Sequence, residues 1–173
     1  MKNNILISFI LVCTNLFGSA EDYILTINGL INDSEYKKAN EELQKAIQQY
    51  DASAELYFIG AQVAIKLDQL DDANKYYIKA IKLDEKNNDY RSEQEKLSEL
   101  RNALTAAKKT LDSGDLNSAV LEYKELTEKY PENAIIFYNL GQAHKFNKDY
   151  DRAYDNFYEA TKLNIYKKII TKQ

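Results

Sequence analysis

Four alanines recur along the chain at a spacing much longer than any secondary-structure period. Successive alanines are 34, 46 and 34 residues apart, and a large apolar side chain follows each of them four residues later. The alanines are Ala39, Ala73, Ala119 and Ala153, and the residues that follow them are Leu43, Tyr77, Tyr123 and Phe157. Self-similarity with a period of about 20–50 residues predicts a chain built by stacking copies of one small unit.

The pattern inside each unit is helical. Apolar residues recur three or four positions apart, which is the period of an amphipathic helix. The chain has five glycines and one proline, too few turn residues for a protein of many short strands. We predict helices over residues 22–32, 35–50, 54–67, 70–84, 89–113, 115–129, 134–147 and 150–163.

These landmarks resemble the tetratricopeptide repeat, in which apolar, small and aromatic residues hold fixed positions on two paired helices. The fourth unit carries them as Phe137, Leu140, Gly141, His144, Tyr150, Ala153, Phe157 and Ala160. The resemblance implies an all-α fold, a right-handed superhelix (α-solenoid) of antiparallel helix pairs. It places one domain over residues 21–173, with repeats at about 20–53, 54–87, 100–133 and 134–167. Six tyrosines fall on structural positions of the repeat and are expected in the core: Tyr23, Tyr36, Tyr57, Tyr77, Tyr123 and Tyr150.

Twelve extra residues, 88–99, account for the longer middle spacing. They contain no glycine or proline, and Tyr90, Leu97, Leu100 and Leu104 keep helical spacing into the third repeat. We therefore predict a helical extension of about three turns on the first helix of that repeat. The alternative is a flexible acidic linker between two pairs of repeats.

The N-terminal residues 1–20 have the layout of a secretory signal peptide. Lys2 precedes an apolar run from Ile5 to Cys13, and small residues stand at 18–20 before acidic sequence begins. The run is too short to span a membrane. We expect an exported protein, periplasmic or secreted, with membrane contact only through this segment. A buried helix, an uncleaved anchor or lipidation at Cys13 are alternatives, although Val12 disfavours lipidation.

Reactive groups are scarce along the chain, so we predict no enzyme, no metal site and no cofactor. There is one histidine, His144, and one cysteine, which the predicted cleavage removes. His144 holds a structural position of the repeat and is expected to be buried or half-buried. A single histidine cannot make the usual tetrahedral zinc site. The net charge of −4, without a basic block, excludes nucleic acid as a partner.

The resemblance also implies a binding surface, because the first helix of each repeat lines a concave groove. The side chains expected in it mix amides, cations and aromatics, which suits an extended peptide of another protein. The predicted peptide-binding residues are Asn28, Phe58, Gln62, Lys66, Arg101, Lys108, Tyr138, Gln142 and Lys145, with Ile24, Asp112 and Phe146 beside them. The cations suggest an acidic partner. The alternative is a structural component of an envelope assembly that self-associates.

Overall fold

The computed structural model describes the backbone of residues 18–170 and the side chains of residues 18–163. Most of the predicted signal segment, residues 1–17, lies outside the described residues. The described part contains eight helices and no strand. They are α1 (Ala20–Asn32), α2 (Tyr36–Gln49), α3 (Ala54–Lys66), α4 (Leu70–Leu83), α5 (Asn88–Asp112), α6 (Leu116–Lys129), α7 (Ala134–Phe146) and α8 (Tyr150–Ile170).

The helices stack in the order of the chain. Each helix packs on the next one, and α1 also contacts α3 while α5 contacts α7. Contacts therefore run between neighbours along a stack, which is the arrangement of a solenoid. The predicted all-α class is confirmed. The helix ends lie within two residues of the predicted ones, except that α8 continues to Ile170 instead of ending at residue 163.

The turn inside each helix pair contains one residue in the left-handed region. These residues are Ser34, Asp68, Gly114 and Lys148, with φ of 58°, 60°, 87° and 61°. Their spacing of 34, 46 and 34 residues repeats that of the alanines. In the fourth pair the amide of Asp149 donates to the carbonyl of His144 at 2.9 Å, which closes the C-terminal turn of α7. All four pairs therefore reverse direction by the same local geometry.

The four marker alanines lie where paired helices cross. Ala39, Ala73 and Ala119 are fully buried, and Ala153 is nearly so. A small side chain at a crossing lets two helix axes approach closely, and the large residue one turn later fills the adjacent space. Burial of the Tyr77 ring raises the pKa of its hydroxyl to about 12, so this core phenol stays neutral at physiological pH.

Helix α5 is one continuous helix of 25 residues that includes the twelve extra residues. Its first half packs on the second pair, where Leu97 lies among Ala61, Ala64, Ala73 and Tyr77. Its second half packs on α6 and α7 through Leu100 and Ala107. A helix rises 1.5 Å per residue, so twelve residues shift the third pair by about 18 Å along α5. The same helix thus covers the second pair and begins the third.

Two expectations about burial are wrong. Tyr150 was expected in the core, but it is 65% exposed, because no described helix packs on that side of α8. Ile24 was expected beside the groove, but it is buried between α1, α2 and α3. None of the helices in the described part of the chain is both long enough and apolar enough to cross a membrane.

Candidate functional site

Three adjoining clefts run along α3, α5 and α7, the first helices of the last three pairs. We name each by one predicted residue that lines it. The Lys66 cleft measures about 350 Å³, the Arg101 cleft about 360 Å³ and the Tyr138 cleft about 440 Å³. Asp68 borders the first two clefts, and Ile135 borders the last two. The clefts therefore form one continuous depression, here called the three-cleft groove.

The Tyr138 cleft brings together three predicted residues from one face of α7. Tyr138, Gln142 and Lys145 line it together with Phe157 of α8. The amide of Gln142 donates to the Tyr138 hydroxyl at 3.1 Å, and the Tyr138 ring lies 5.5 Å from that of Phe157. Tyr138 remains 51% exposed. The cleft thus offers an aromatic surface, an oriented amide and a flexible cation.

The Arg101 cleft has mixed charge. The Arg101 guanidinium forms an ion pair with Asp71 of α4, and Asp68 lines the same cleft. Leu104 and Ile135 provide its apolar surface. An exposed ion pair of this kind contributes little to stability. Its main effect here is to hold the guanidinium at the wall of the cleft and to reduce its net positive charge.

The Lys66 cleft lies between the end of α3 and the turn that joins α6 to α7. Lys66 is exposed in the last turn of α3, where a cation interacts favourably with the helix dipole. Tyr130 and Pro131 form the opposite wall. Among the side chains of residues 18–163, no anionic partner is found for Lys66 or for Lys145. Both cations are therefore available to a ligand.

Four predicted residues lie outside the three-cleft groove. Asn28 is half-exposed on α1, and Gln62 is exposed on α3. Lys108 forms an ion pair with Asp112 at 2.7 Å on α5. Phe58 is half-buried, because its ring stacks on that of Tyr90 with centroids 4.7 Å apart. Phe58 therefore packs inside the molecule and does not project as an open aromatic anchor.

Sequence reasoning missed several residues that the structure places in the groove. Ile135 holds the second position of the fourth repeat, a groove position in the resemblance, and that rule could have found it. Phe157 was assigned only to core packing, but one side of its ring lines the Tyr138 cleft. Asp68 and Asp71 come from a turn and from α4, and no pattern in the sequence indicates that they flank Arg101.

His144 is buried on α7, close to the carboxylate of Asp149. Its Nδ1 atom lies 3.7 Å from Asp149 Oδ2 and has no hydrogen-bond partner. Burial lowers the pKa of the imidazole, and the Asp149 charge offsets part of that effect. In the region the structure describes, no group of three or more His, Cys, Asp or Glu side chains could hold a metal ion.

Sequence comparison identifies the repeat. A family model of the tetratricopeptide repeat matches residues 54–87 and 134–164. Two of the four helix pairs match the tetratricopeptide repeat. The first matching segment contains α3 and α4, and the second contains α7 and most of α8. A comparison with curated proteins gave no match.

Solved structures of similar shape include three with low sequence identity. A crystal structure of MamA shares 18% identity at a TM-score of 0.40, covering 86% of this chain and 80% of that one. YrrB, described as a TPR protein with an unusual peptide-binding site, shares 20% at 0.40, covering 84% and 86%. The TPR2AB domain of yeast Sti1 in its pHSP90 complex shares 16% at 0.45, covering 86% and 66%.

Proposed function

We propose that this protein is an adaptor of four tetratricopeptide repeats that binds an extended segment of another protein in the three-cleft groove. Two pairs match the repeat in sequence, and the other two reverse direction through the same left-handed turn. The proposal assigns the chain a binding role and no catalytic step.

The observation that carries the proposal is the continuity of the groove. Five of the predicted binding residues line three clefts that share borders: Lys66, Arg101, Tyr138, Gln142 and Lys145. An extended peptide needs hydrogen-bonding groups for its backbone and an apolar anchor for a side chain. Gln142 and Tyr138 supply these two groups within one cleft.

The charges along the groove favour a particular distribution of acidic residues in the ligand. Lys66 and Lys145, at opposite ends, have no described anionic partner, whereas Arg101 in the middle is paired with Asp71. The middle cleft also contains the carboxylate of Asp68. Acidic side chains are therefore favoured at both ends of a bound peptide and disfavoured at its centre.

Labelled peptides of one length and composition test this distribution. One peptide has acidic residues at both ends, a second has them at the centre, and a third has lysines at both ends. We expect the first to bind most tightly in fluorescence anisotropy, and its affinity to fall with salt. Lys66→Ala combined with Lys145→Ala should weaken it by about tenfold, which corresponds to about 1.4 kcal/mol.

Lys108→Ala is the matched control, because Lys108 is an exposed lysine on α5 outside the three clefts. It should leave the affinity unchanged. Equal binding of all three peptides, or an equal loss with Lys108→Ala, would show that the groove does not select its ligand in this way.

We propose also that the protein is exported, on the basis of residues 1–20 alone. Envelope or extracellular partners would then be the relevant ones. N-terminal analysis of the protein recovered from its own cells tests this. A chain that begins near Glu21 supports export, and an intact N-terminus in the cytoplasmic fraction contradicts it.

A further inference from the structure

The second and fourth helix pairs carry the same aromatic arrangement 80 residues apart. The rings of Phe58 and Tyr77 lie 5.8 Å apart at 52°. The rings of Tyr138 and Phe157, at the equivalent positions, lie 5.5 Å apart at 49°. The two pairs therefore present the same type of surface to whatever follows them in the stack.

In the second pair, the first half of α5 covers this surface. Tyr90 stacks on Phe58, the Gln94 amide donates to Asn74 Oδ1 at 3.1 Å, and Leu97 packs on Tyr77. One turn further along, Arg101 forms its ion pair with Asp71. Steps of four, three and four residues place these four side chains on one face of α5. They define the kind of helix that this surface accepts.

In the fourth pair, the corresponding surface is open. Tyr138, Tyr154, Phe157 and Asp151 stand where the second pair has Phe58, Asn74, Tyr77 and Asp71, and together they are called the open face. Tyr154 is 69% exposed, and Tyr150 beside it is also exposed. Helix α8 continues without a break to Ile170, and within residues 18–170 no further helix follows it in the stack. Exposed aromatic surface of this kind marks an interaction site.

We propose that the open face binds an amphipathic helix of a partner protein, lying antiparallel to α8 as α5 lies on α4. The helix presents an aromatic or aliphatic residue at position i and another at i+7, which contact Tyr138 and Phe157. A hydrogen-bonding side chain at i+4 meets the Tyr154 hydroxyl, and a cation at i+11 pairs with Asp151. Asp151 has no ion pair among the described side chains, so its charge is available.

A second copy of this chain is a poor occupant. The residues of α3 that pack on the first pair are Leu56, Ile59 and Val63. Thirty-four residues earlier, the equivalent positions of α1 hold Asp22, Leu25 and Gly29. The Asp22 carboxylate already accepts a hydrogen bond from the backbone of Ser19, and glycine offers no side chain. Stacking one chain's α1 on another's α8 would therefore bury a carboxylate with little apolar contact.

The inference does not rest on the proposed groove, because only Tyr138 and Phe157 belong to both surfaces. Tyr154 and Asp151 lie outside the three clefts, as Lys66 lies outside the open face. Variants of Tyr154 and Asp151 therefore test the open face, and variants of Lys66 test the groove.

The probe is a labelled peptide with the sequence of residues 88–104, helix-stabilised by a side-chain staple on its polar face. It carries Tyr90, Gln94, Leu97 and Arg101 in the spacing that the second pair accepts. We expect it to bind the purified protein in anisotropy titrations. Tyr154→Ala combined with Asp151→Arg should weaken binding by about tenfold or more. Leu121→Ala, which removes an exposed side chain on α6, is the control and should have no effect.

A charge exchange makes the test specific. A peptide with Arg101→Asp should bind the original protein weakly and the Asp151→Arg variant more tightly. The proposal is overturned by equal binding to the Tyr154 and Asp151 variants, since the peptide would then be replacing α5 on the second pair. It is also overturned by no binding, or by a concentration-dependent oligomer that Leu25→Ala dissociates, which would make a second copy the occupant.

Discussion

The ring of Tyr90 lies parallel enough to that of Phe58 to stack on it, with an interplanar angle of 28° and centroids 4.7 Å apart. This contact joins the start of α5 to α3 and fixes the twelve extra residues against the second pair. The continuous helix then carries that position to the third pair. An insertion in the repeat spacing thus becomes a rigid connection between two halves of the stack.

Tyr90→Ala should destabilise the protein by about 3 kcal/mol, because it removes a buried aromatic ring and leaves a cavity above Phe58. Urea unfolding followed by circular dichroism measures this loss. Tyr154→Ala removes a tyrosine from an exposed helix face and should cost less than about 0.5 kcal/mol. Similar midpoints for the two variants would mean that the start of α5 does not pack on the second pair.

The helices were predictable from sequence because helical periodicity is local. Turn residues and the 3.6-residue pattern set the ends of α1 to α7 without reference to the rest of the chain. The burial of single residues was less predictable, because it depends on which helix comes next. Tyr150 holds a core position of the repeat, but no described helix follows α8 to cover it.

The binding surface was predictable only in part, for a related reason. The repeat position indicates that a side chain points toward the groove, and this identified Tyr138, Gln142 and Lys145 together. It does not indicate whether a neighbour is already bound to that side chain. Tyr90 occupies Phe58, and Asp71 occupies Arg101, through contacts between residues about 30 positions apart in sequence.

Two glycines in helices should respond oppositely to replacement by alanine. A Cβ atom at Gly141 would lie 2.7 Å from two ring atoms of Phe157 and 3.2 Å from the Ala153 carbonyl oxygen. Overpacking of this kind costs about 1–3 kcal/mol, and the better helix propensity of alanine returns up to about 1 kcal/mol. We expect Gly141→Ala to destabilise the protein by about 1–2 kcal/mol in denaturant unfolding.

Gly29→Ala is the matched control. Gly29 is an exposed helical residue of α1, and a Cβ atom added there would have no neighbouring atom within 4 Å. The substitution should stabilise the protein by about 0.5–1 kcal/mol, through helix propensity alone. Loss of stability at both sites would contradict the close approach of α7 and α8 as the cause.

His144 should make stability depend on pH in the mildly acidic range. Its ordinary pKa is 6.5, and burial lowers the pKa in the folded protein. The unfolded chain therefore binds a proton more readily as pH falls below 6.5, so stability is lost as pH decreases through this range. The free energy of unfolding, measured at pH 7.5, 6.5 and 5.5, should fall more for the original protein than for His144→Phe.

Asp149→Asn sharpens the pH test. The Asp149 carboxylate raises the pKa of His144 against the effect of burial, and asparagine keeps the N-cap of α8 without the charge. The variant should lose stability more steeply below pH 6.5 than the original protein. Parallel pH profiles for all three proteins would show that His144 does not titrate differently on folding.

The start of α1 links the fold to the predicted signal cleavage. Ser19 forms a capping box with Asp22, in which the Asp22 amide donates to Ser19 Oγ at 3.2 Å and the Ser19 amide donates to Asp22 Oδ2 at 2.7 Å. The Tyr50 hydroxyl also donates to the carbonyl of Gly18. Cleavage after Ala20 would remove Gly18 and Ser19 and place a charged amino group at the positive end of the helix dipole.

A chain that begins at Glu21 should therefore be less stable than one that begins at Gly18. The loss of an N-cap costs about 1 kcal/mol, equivalent to about 2–4 °C in melting temperature for a domain of this size. Ser19→Ala in the longer chain should reproduce most of the loss, because it removes the cap but keeps the backbone of Gly18. Equal melting temperatures for the two chains would mean that α1 gains nothing from this cap, and that cleavage after Ala20 leaves the first repeat as stable as before.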